Sequence, residues 1–377
     1  MSVASLEKLM MTIGLTDTVS KPLMSINNTL TGMKKNATGG FENIRGGAMG
    51  LAASGLAIKT FMQPVYEMQR RLGEVASLDV AQQELDALKN TSLLFSVQYG
   101  ESAADFVGSS YDIQSAITGL RNGELAKFTL ASNVLAKSTK ADAATITDYM
   151  GTMYGIFQDK AKEMGKSQWV EQLTGQTATA VQMFKTTGAG MANAFTSLGA
   201  NAKASGIGLS EQMAILGTLQ STMSGSEAGT KYRSFLAGIA KAQDNLGLKF
   251  TDSQGRLLPM LDVLKALKQR FGDTFDEVES LKLKQAFGSQ EAVSMIKLLM
   301  GQTNGLADAI HRLDNVQGMQ KATEMAKKMV DPWDQFVAVT EALRIKFGDT
   351  LLPTINDLLT TLNGGLTTVM SWVDMFP

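Results

Sequence analysis

Pro64-Val65-Tyr66-Glu67-Met68-Gln69-Arg70-Arg71-Leu72-Gly73-Glu74-Val75-Ala76-Ser77-Leu78 places Val65, Met68, Leu72, Val75 and Leu78 three and four residues apart. That spacing gathers them on one face of an α-helix that opens at Pro64. The same period, not the alternation of a strand, runs through almost the whole chain. Proline is rare, with six residues at Pro22, Pro64, Pro259, Pro332, Pro353 and Pro377. The fold class is therefore all-α, with punctuated helices. Glycine supplies the punctuation. The 36 glycines are about a tenth of the chain against a usual value of about 7%, as many short helices ending at glycine require.

Working outward, further helices are predicted at Gln82 to Tyr99, Ser102 to Leu120, Gly123 to Ala136, Ala141 to Lys162 and Gln168 to Phe184. Gly100 followed by Ser102 and Asp105 reads as a stop and a capped start. Thr186 to Ala204 is poor in large apolar groups and rich in Gly, Ala, Thr and Asn, a segment that either packs closely or moves easily. Four regions follow: a Gly-rich leader over 1–63, an N-terminal helical region over 64–205, a core over 206–330 and a C-terminal amphipathic segment over 331–377.

One stretch departs from helix. Leu248 to Thr251 and Arg256 to Leu258 flank the turn-forming Asp252-Ser253-Gln254-Gly255, which predicts a small β-hairpin near 248–258. A short pattern also recurs. Phe271-Gly272-Asp273-Thr274 returns as Phe347-Gly348-Asp349-Thr350, with Phe287-Gly288-Ser289 a looser copy. Each reads as a glycine stop followed by a capping Asp or Ser, that is, as helix punctuation more than duplication.

Composition removes most chemistry. There is no cysteine and one histidine, which excludes disulfides, thiolate nucleophiles and thiolate-bound zinc. A formal charge of -1 gives no general attraction to phosphate or anionic lipid, so sequence-specific nucleic-acid binding is not expected. The N-terminus lacks a basic region ahead of an apolar run and does not read as a signal peptide, which places synthesis in the cytoplasm. The longest uncharged apolar stretches, Gly46 to Ile58 and Leu358 to Val373, fall short of the roughly 20 residues that span a bilayer. His311, beside Arg312 and Asp314, reads as a solvated surface residue. Asp276, Glu277 and Glu279 read as acids at a helix N-terminus, not as a glycosidase pair. The pairs Gly188/Gly190 and Gly206/Gly208 follow no strand and carry no phosphate-loop signal. Met295, Met300, Met325 and Met329, among 23 methionines, read as adaptable core filling. No catalytic residue, cofactor or metal site is expected.

The C-terminal segment holds the clearest interaction pattern. Leu352, Leu359, Leu366 and Val373 form one seven-residue column, and Ile355, Leu362, Val369 and Phe376 form a second beside it. A period near 3.5 with two adjacent apolar columns suits a helix that self-associates or docks on a partner, and equally one buried in this same chain.

Several blocks taken in order resemble one family. Gly225-Ser226-Glu227-Ala228-Gly229-Thr230-Lys231-Tyr232-Arg233, followed by Phe235, Leu236 and Ile239, is similar to the core signature of the tail tape-measure proteins of tailed bacteriophages. Phe287, Gly288, Gln290, Glu291 and Ala292 resemble its next block. Trp333, Phe336, Glu341, Leu343, Phe347, Gly348, Leu351, Leu352 and Pro353 resemble its closing helix, and Pro64, Glu67, Met68 and Val75 its entry. The likeness runs from about residue 64 to about residue 360. It implies a non-enzymatic structural protein that occupies the lumen of the tail tube, templates tail assembly and length, and leaves ahead of the DNA. It further implies a homo-oligomer, trimer or hexamer, with the tail tube protein, tail assembly chaperones and tail tip or baseplate hub proteins as partners, and transient contact with the host membrane. The alternative is a membrane-active helical protein that forms a path for DNA through the host envelope.

Overall fold

A computed structural model describes residues 48–349 and residue 352. Its helices are α1 (Ala48–Ala76), α2 (Gln82–Tyr99), α3 (Ala103–Ala116), α4 (Glu124–Thr139), α5 (Ala143–Met164), α6 (Lys166–Met183), α7 (Gly188–Leu198), α8 (Asn201–Ala204), α9 (Leu209–Gln220), α10 (Gly225–Leu246), α11 (Met260–Phe271), α12 (Glu277–Phe287), α13 (Gln290–Met300), α14 (Thr303–Asp314) and α15 (Gln320–Lys327). A last helix, α16, covers 332–349. The chain divides into two compact units. The first draws on the described part of Met1–Asp79, on Lys89–Gly108 and on the described part of Val330–Pro377; the second consists of Val80–Leu88 and Ser109–Met329.

In the first unit α1 starts sixteen residues earlier than its sequence predicts, and Pro64 lies inside it. Proline removes one backbone hydrogen bond and normally kinks or ends a helix. Here Met62, Val65, Met68 and Val75 are fully buried, and burial on both sides of the proline carries the helix through it. From α2 and α16, Val97, Val339 and Ala342 form a small apolar cluster flanked by Leu93 and Leu343. The Gln335 side chain donates to the Val97 carbonyl at 2.9 Å. Further along, the Lys89 ammonium meets both Asp349 carboxylate oxygens at 2.6 Å. The Phe347-Gly348-Asp349 copy is therefore no helix stop. The helix continues through 349, Asp349 serves an ion pair, and Gly348 is small because Val65 fills the space where its Cβ would lie.

The second unit is built around α10. One face of α10 meets α7, whose residues are the Gly- and Ala-rich ones, and the other meets α12 and α13. A Cβ on Gly225 or Gly229 would run into the Gly190 or Ala194 carbonyl oxygen, respectively. The two backbones thus touch, and only glycine permits it. On the far side Phe235 stacks on Phe287 with ring centroids 5.3 Å apart, and Phe250 packs beside them at 6.3 Å. Elsewhere Phe128, Tyr154 and Trp169 knit α4, α5 and α6 together at 5.8 to 6.3 Å.

Caps decide the ends. The Asp142, Thr187, Ser224, Asp276 and Ser289 side chains each accept an N–H of the first turn of the following helix, and Asp276 with Glu279 makes a full capping box. The Asp276, Glu277, Glu279 cluster is thus helix initiation. After Phe271-Gly272 the cap is Asp276, three residues beyond the predicted Asp273, which instead pairs with Lys268 at 3.0 Å. Gly288 (φ 73°) closes α12 and Ser289 opens α13 as the sequence suggests.

The β-hairpin expected near 248–258 is corrected. No strand forms among the described residues; one isolated antiparallel bridge, Thr251 to Leu257, closes the turn. The Gln243 side chain accepts the Phe250 and Thr251 amides, and the Asp252 carboxylate accepts those of Gln254 and Arg256, all at 2.8 to 3.1 Å. Amides held by side chains are not available to a longer ladder, and Pro259 then opens α11. Of the C-terminal amphipathic segment over 331–377, α16 is its first part, and the columns that begin at Leu352 lie, apart from Leu352 itself, outside the described residues.

The α7–α10 contact predicts opposite effects at two glycines of the second unit. Gly229→Val is expected to destabilise by about 3 kcal/mol, because backbone on both sides cannot yield. Gly155→Ala, in an open, exposed position inside α5, is expected to stabilise by about 0.5–1 kcal/mol. Chemical denaturation of the full chain followed by circular dichroism reads both signs.

Candidate assembly surface

The motif that opens α10 divides cleanly between inside and outside. Gly225, Ala228, Gly229 and Tyr232 are buried, Thr230 is half-buried, and Ser226, Glu227 and Arg233 are exposed. Ser224 caps the helix by accepting the Glu227 amide at 3.3 Å, and the Glu227 carboxylate pairs with Lys231 at 2.7 Å. The inward half of the motif is therefore packing chemistry. Its outward half is a charged surface. In the second block Phe287 is buried against Phe235, and the exposed Gly288 follows it at the helix end. In the closing block Gly348 packs against Val65, and Leu352 is half-buried. Pro353, Ile355, Leu359, Leu362, Leu366, Val369, Val373 and Phe376 lie outside the described residues.

Behind the motif lies a polar junction. Tyr232 is fully buried and its hydroxyl has no hydrogen-bond partner. Burial, and then the nearby Glu211 charge, push this phenol well above the usual tyrosine range. Glu211 itself accepts the Met260 amide at 2.6 Å and so caps α11, whose N-cap is the side-chain-poor Pro259. Burial raises the Glu211 carboxyl above 4.5, the Met260 bond opposes this, and Asp314 and Asp262 add to the rise. In the first unit Thr60, Glu67, Ser102, Glu341 and Arg344 line a polar cleft. Burial pushes Glu341 up there while Arg344 opposes it. The cleft holds mixed charges, whereas the charged neighbours acting on Glu211 at the junction are acids. Among the described residues no group of three or more His, Asp or Glu could hold a metal ion.

His311 is exposed, with its ring 3.3 Å from the Asn315 amide. Met295 and Met300 are core residues, Met325 is half-buried, and Met329 is exposed. Sequence reasoning missed the apolar groups that face outward. Val278 and Leu281 on α12, and Trp333 and Val337 on α16, are exposed. Spacings of three and four on one helix face were the available signal. No helix among the described residues is long and apolar enough to cross a membrane.

Because a raised carboxyl in the folded state favours protonation, stability tied to Glu211 is present below its unfolded value and is lost as pH rises through its folded value. Glu211→Gln, which keeps an acceptor for Met260, is therefore expected to be more stable than the wild type at neutral pH. The advantage should vanish on acidification toward 4.5, as read by urea denaturation across that range.

Comparison with known proteins supplies the context for these packing motifs. A family described as phage-related minor tail protein matches residues 89–288, more than half of the chain. A probable tape measure protein of Escherichia phage P2 is 26% identical over 299 residues, covering 73% of this chain and 35% of that protein. A tape measure protein of Pneumococcus phage Dp-1 is 24% identical over 321 residues, covering 83% of this chain and 26% of that protein. The chain thus spans about a third and about a quarter of these relatives. No solved structure matches it. The matched residues run from α2 to the end of α12 and include the α7–α10 contact and the Phe235–Phe287 stack, and the chain belongs to the phage-related minor tail protein family.

Proposed function

We propose that this chain is the compact helical portion of a tape-measure protein, which occupies the lumen of the tail tube, templates tail assembly and length, and leaves ahead of the DNA. The observation that carries the reading is the match to two tape measure proteins over 73% and 83% of the chain. In this role the tail tube protein, the tail assembly chaperones and the tip or baseplate hub proteins are its partners. The C-terminal columns, Leu352, Leu359, Leu366 and Val373 beside Ile355, Leu362, Val369 and Phe376, carry assembly into trimers or hexamers.

Physical chemistry sets where length can come from. A wholly helical chain of 377 residues would reach about 570 Å. The packed helices seen here cover far less, since the longest has 29 residues, about 44 Å. Distance along a tail is therefore set by segments that run extended, and the folded units serve as an attachment.

Insertion or deletion of whole helical turns within residues 353–377, in the phage that encodes the chain, tests this. Tail length measured by electron microscopy should change by about 1.5 Å per residue. Tails of unaltered length would remove the ruler role from that segment.

A further inference from the structure

Helix α12 turns Ser280, Leu283, Ala286 and Phe287 inward, against α10 and α13. Its outward face should then be polar. Instead Val278 is 61% exposed and Leu281 is 54% exposed. They lie three residues apart, so they are neighbours on the helix surface, with the exposed Gln285 one turn further on. A single exposed apolar residue needs no explanation. Two adjacent ones at the centre of a face whose opposite side is fully packed form a strip.

The charges beside the strip indicate what covers it. Glu277 and Lys284 are seven residues apart, two turns along the same flank, and both are exposed. Neither makes an ion pair among the described residues; Lys284 acts on Glu291 only at longer range. An acid in the first turn and a base in the last also suit the helix dipole. Their shared flank does more, because in an antiparallel pair of identical helices like flanks face each other. Rotated about a two-fold axis near Leu281, the strip meets its own copy with Leu281 over Leu281 and Val278 flanking the pair on either side. Glu277 of one copy then lies opposite Lys284 of the other, twice by symmetry. The opposed dipoles of the two helices add to the fit.

We propose that the exposed face of α12 is a self-docking surface, on which a second copy of this chain binds antiparallel with Leu281 near the two-fold axis. The strip is smaller than the roughly 1,200 Å² of a standard interface, so the contact is weak and forms where copies are crowded. It is independent of the C-terminal columns and adds a two-fold contact to any assembly they make.

Sedimentation of the full chain from micromolar to near-millimolar concentration tests the proposal. The wild type should dimerise, and Leu281→Glu should raise the dissociation constant about ten-fold or more. That residue faces solvent, so circular dichroism should show the fold unchanged. Glu277→Lys and Lys284→Glu should each weaken association, and their equimolar mixture should recover it, since each copy supplies the charge the other lacks. The proposal is overturned if the wild type stays monomeric, if association is insensitive to Leu281→Glu, or if mixing restores nothing. Recovery with Lys282→Glu in place of Lys284→Glu would overturn the antiparallel register.

Discussion

The contact of two helix backbones at Gly225 and Gly229 is the constraint around which the second unit is arranged. Helices usually stand 8–10 Å apart, at a distance set by their side chains. Removing the Cβ at two positions one turn apart lets α10 settle onto α7 at the Gly190 and Ala194 carbonyls. This fixes the orientation of α10. Phe235, which lies round the helix from that seam, stacks on Phe287 of α12. On the side toward α12, Gly238 likewise lies against the Phe287 carbonyl, so glycine sets the approach of α10 to both neighbours. The Gly- and Ala-rich segment from Thr186 to Ala204 is the complement of the Gly225 and Gly229 face. It packs closely because it has little to keep α10 away.

Much of this was legible because it was encoded locally. α2 follows the sequence reading residue for residue, and α5 and α6 begin within two residues of it, since capping side chains and glycines mark their ends within a single turn. Misreadings fell where a distant residue overrides a local signal. Pro64 speaks for a helix start, but burial of Met62 and Val65 on either side carries α1 through it. Phe347-Gly348 speaks for a stop, but that glycine is there to admit Val65. The 248–258 stretch has the residues of a hairpin, yet Gln243 takes two of the amides that a ladder would use. In the last two cases the competing group lies seven residues or more away, or on another helix.

The site was legible in a different sense. The residues that carry the family resemblance divide into a buried set, Ala228, Gly229 and Phe287, and an exposed set, Ser226, Glu227 and Arg233. Geometry accounts for the first. A pattern of small and aromatic residues at fixed spacing identifies how the unit packs, so it is readable without knowing any partner. The polar junction at Glu211 and Tyr232 was not readable, because it exists only once α9, α10 and α11 converge. The outward strip on α12 was hidden for a related reason. Val278 and Leu281 look like core residues until Leu283, Ala286 and Phe287 are seen to face the other way.

This division bears on how such a chain serves a tail. A structural protein needs one set of residues to hold its units together and another to meet its neighbours, and the two are subject to different constraints. Packing at Gly229 tolerates almost no change, because a carbonyl oxygen occupies the place of any added carbon. An exposed position such as Arg233 or Lys284 tolerates most substitutions as far as folding is concerned. Relatives at 24% and 26% identity can therefore keep the same packed units while their exposed faces are free to differ. What the inner residues secure is a stable helical body. Which neighbours it meets is decided by the few outward groups, such as the α12 strip, that folding does not need.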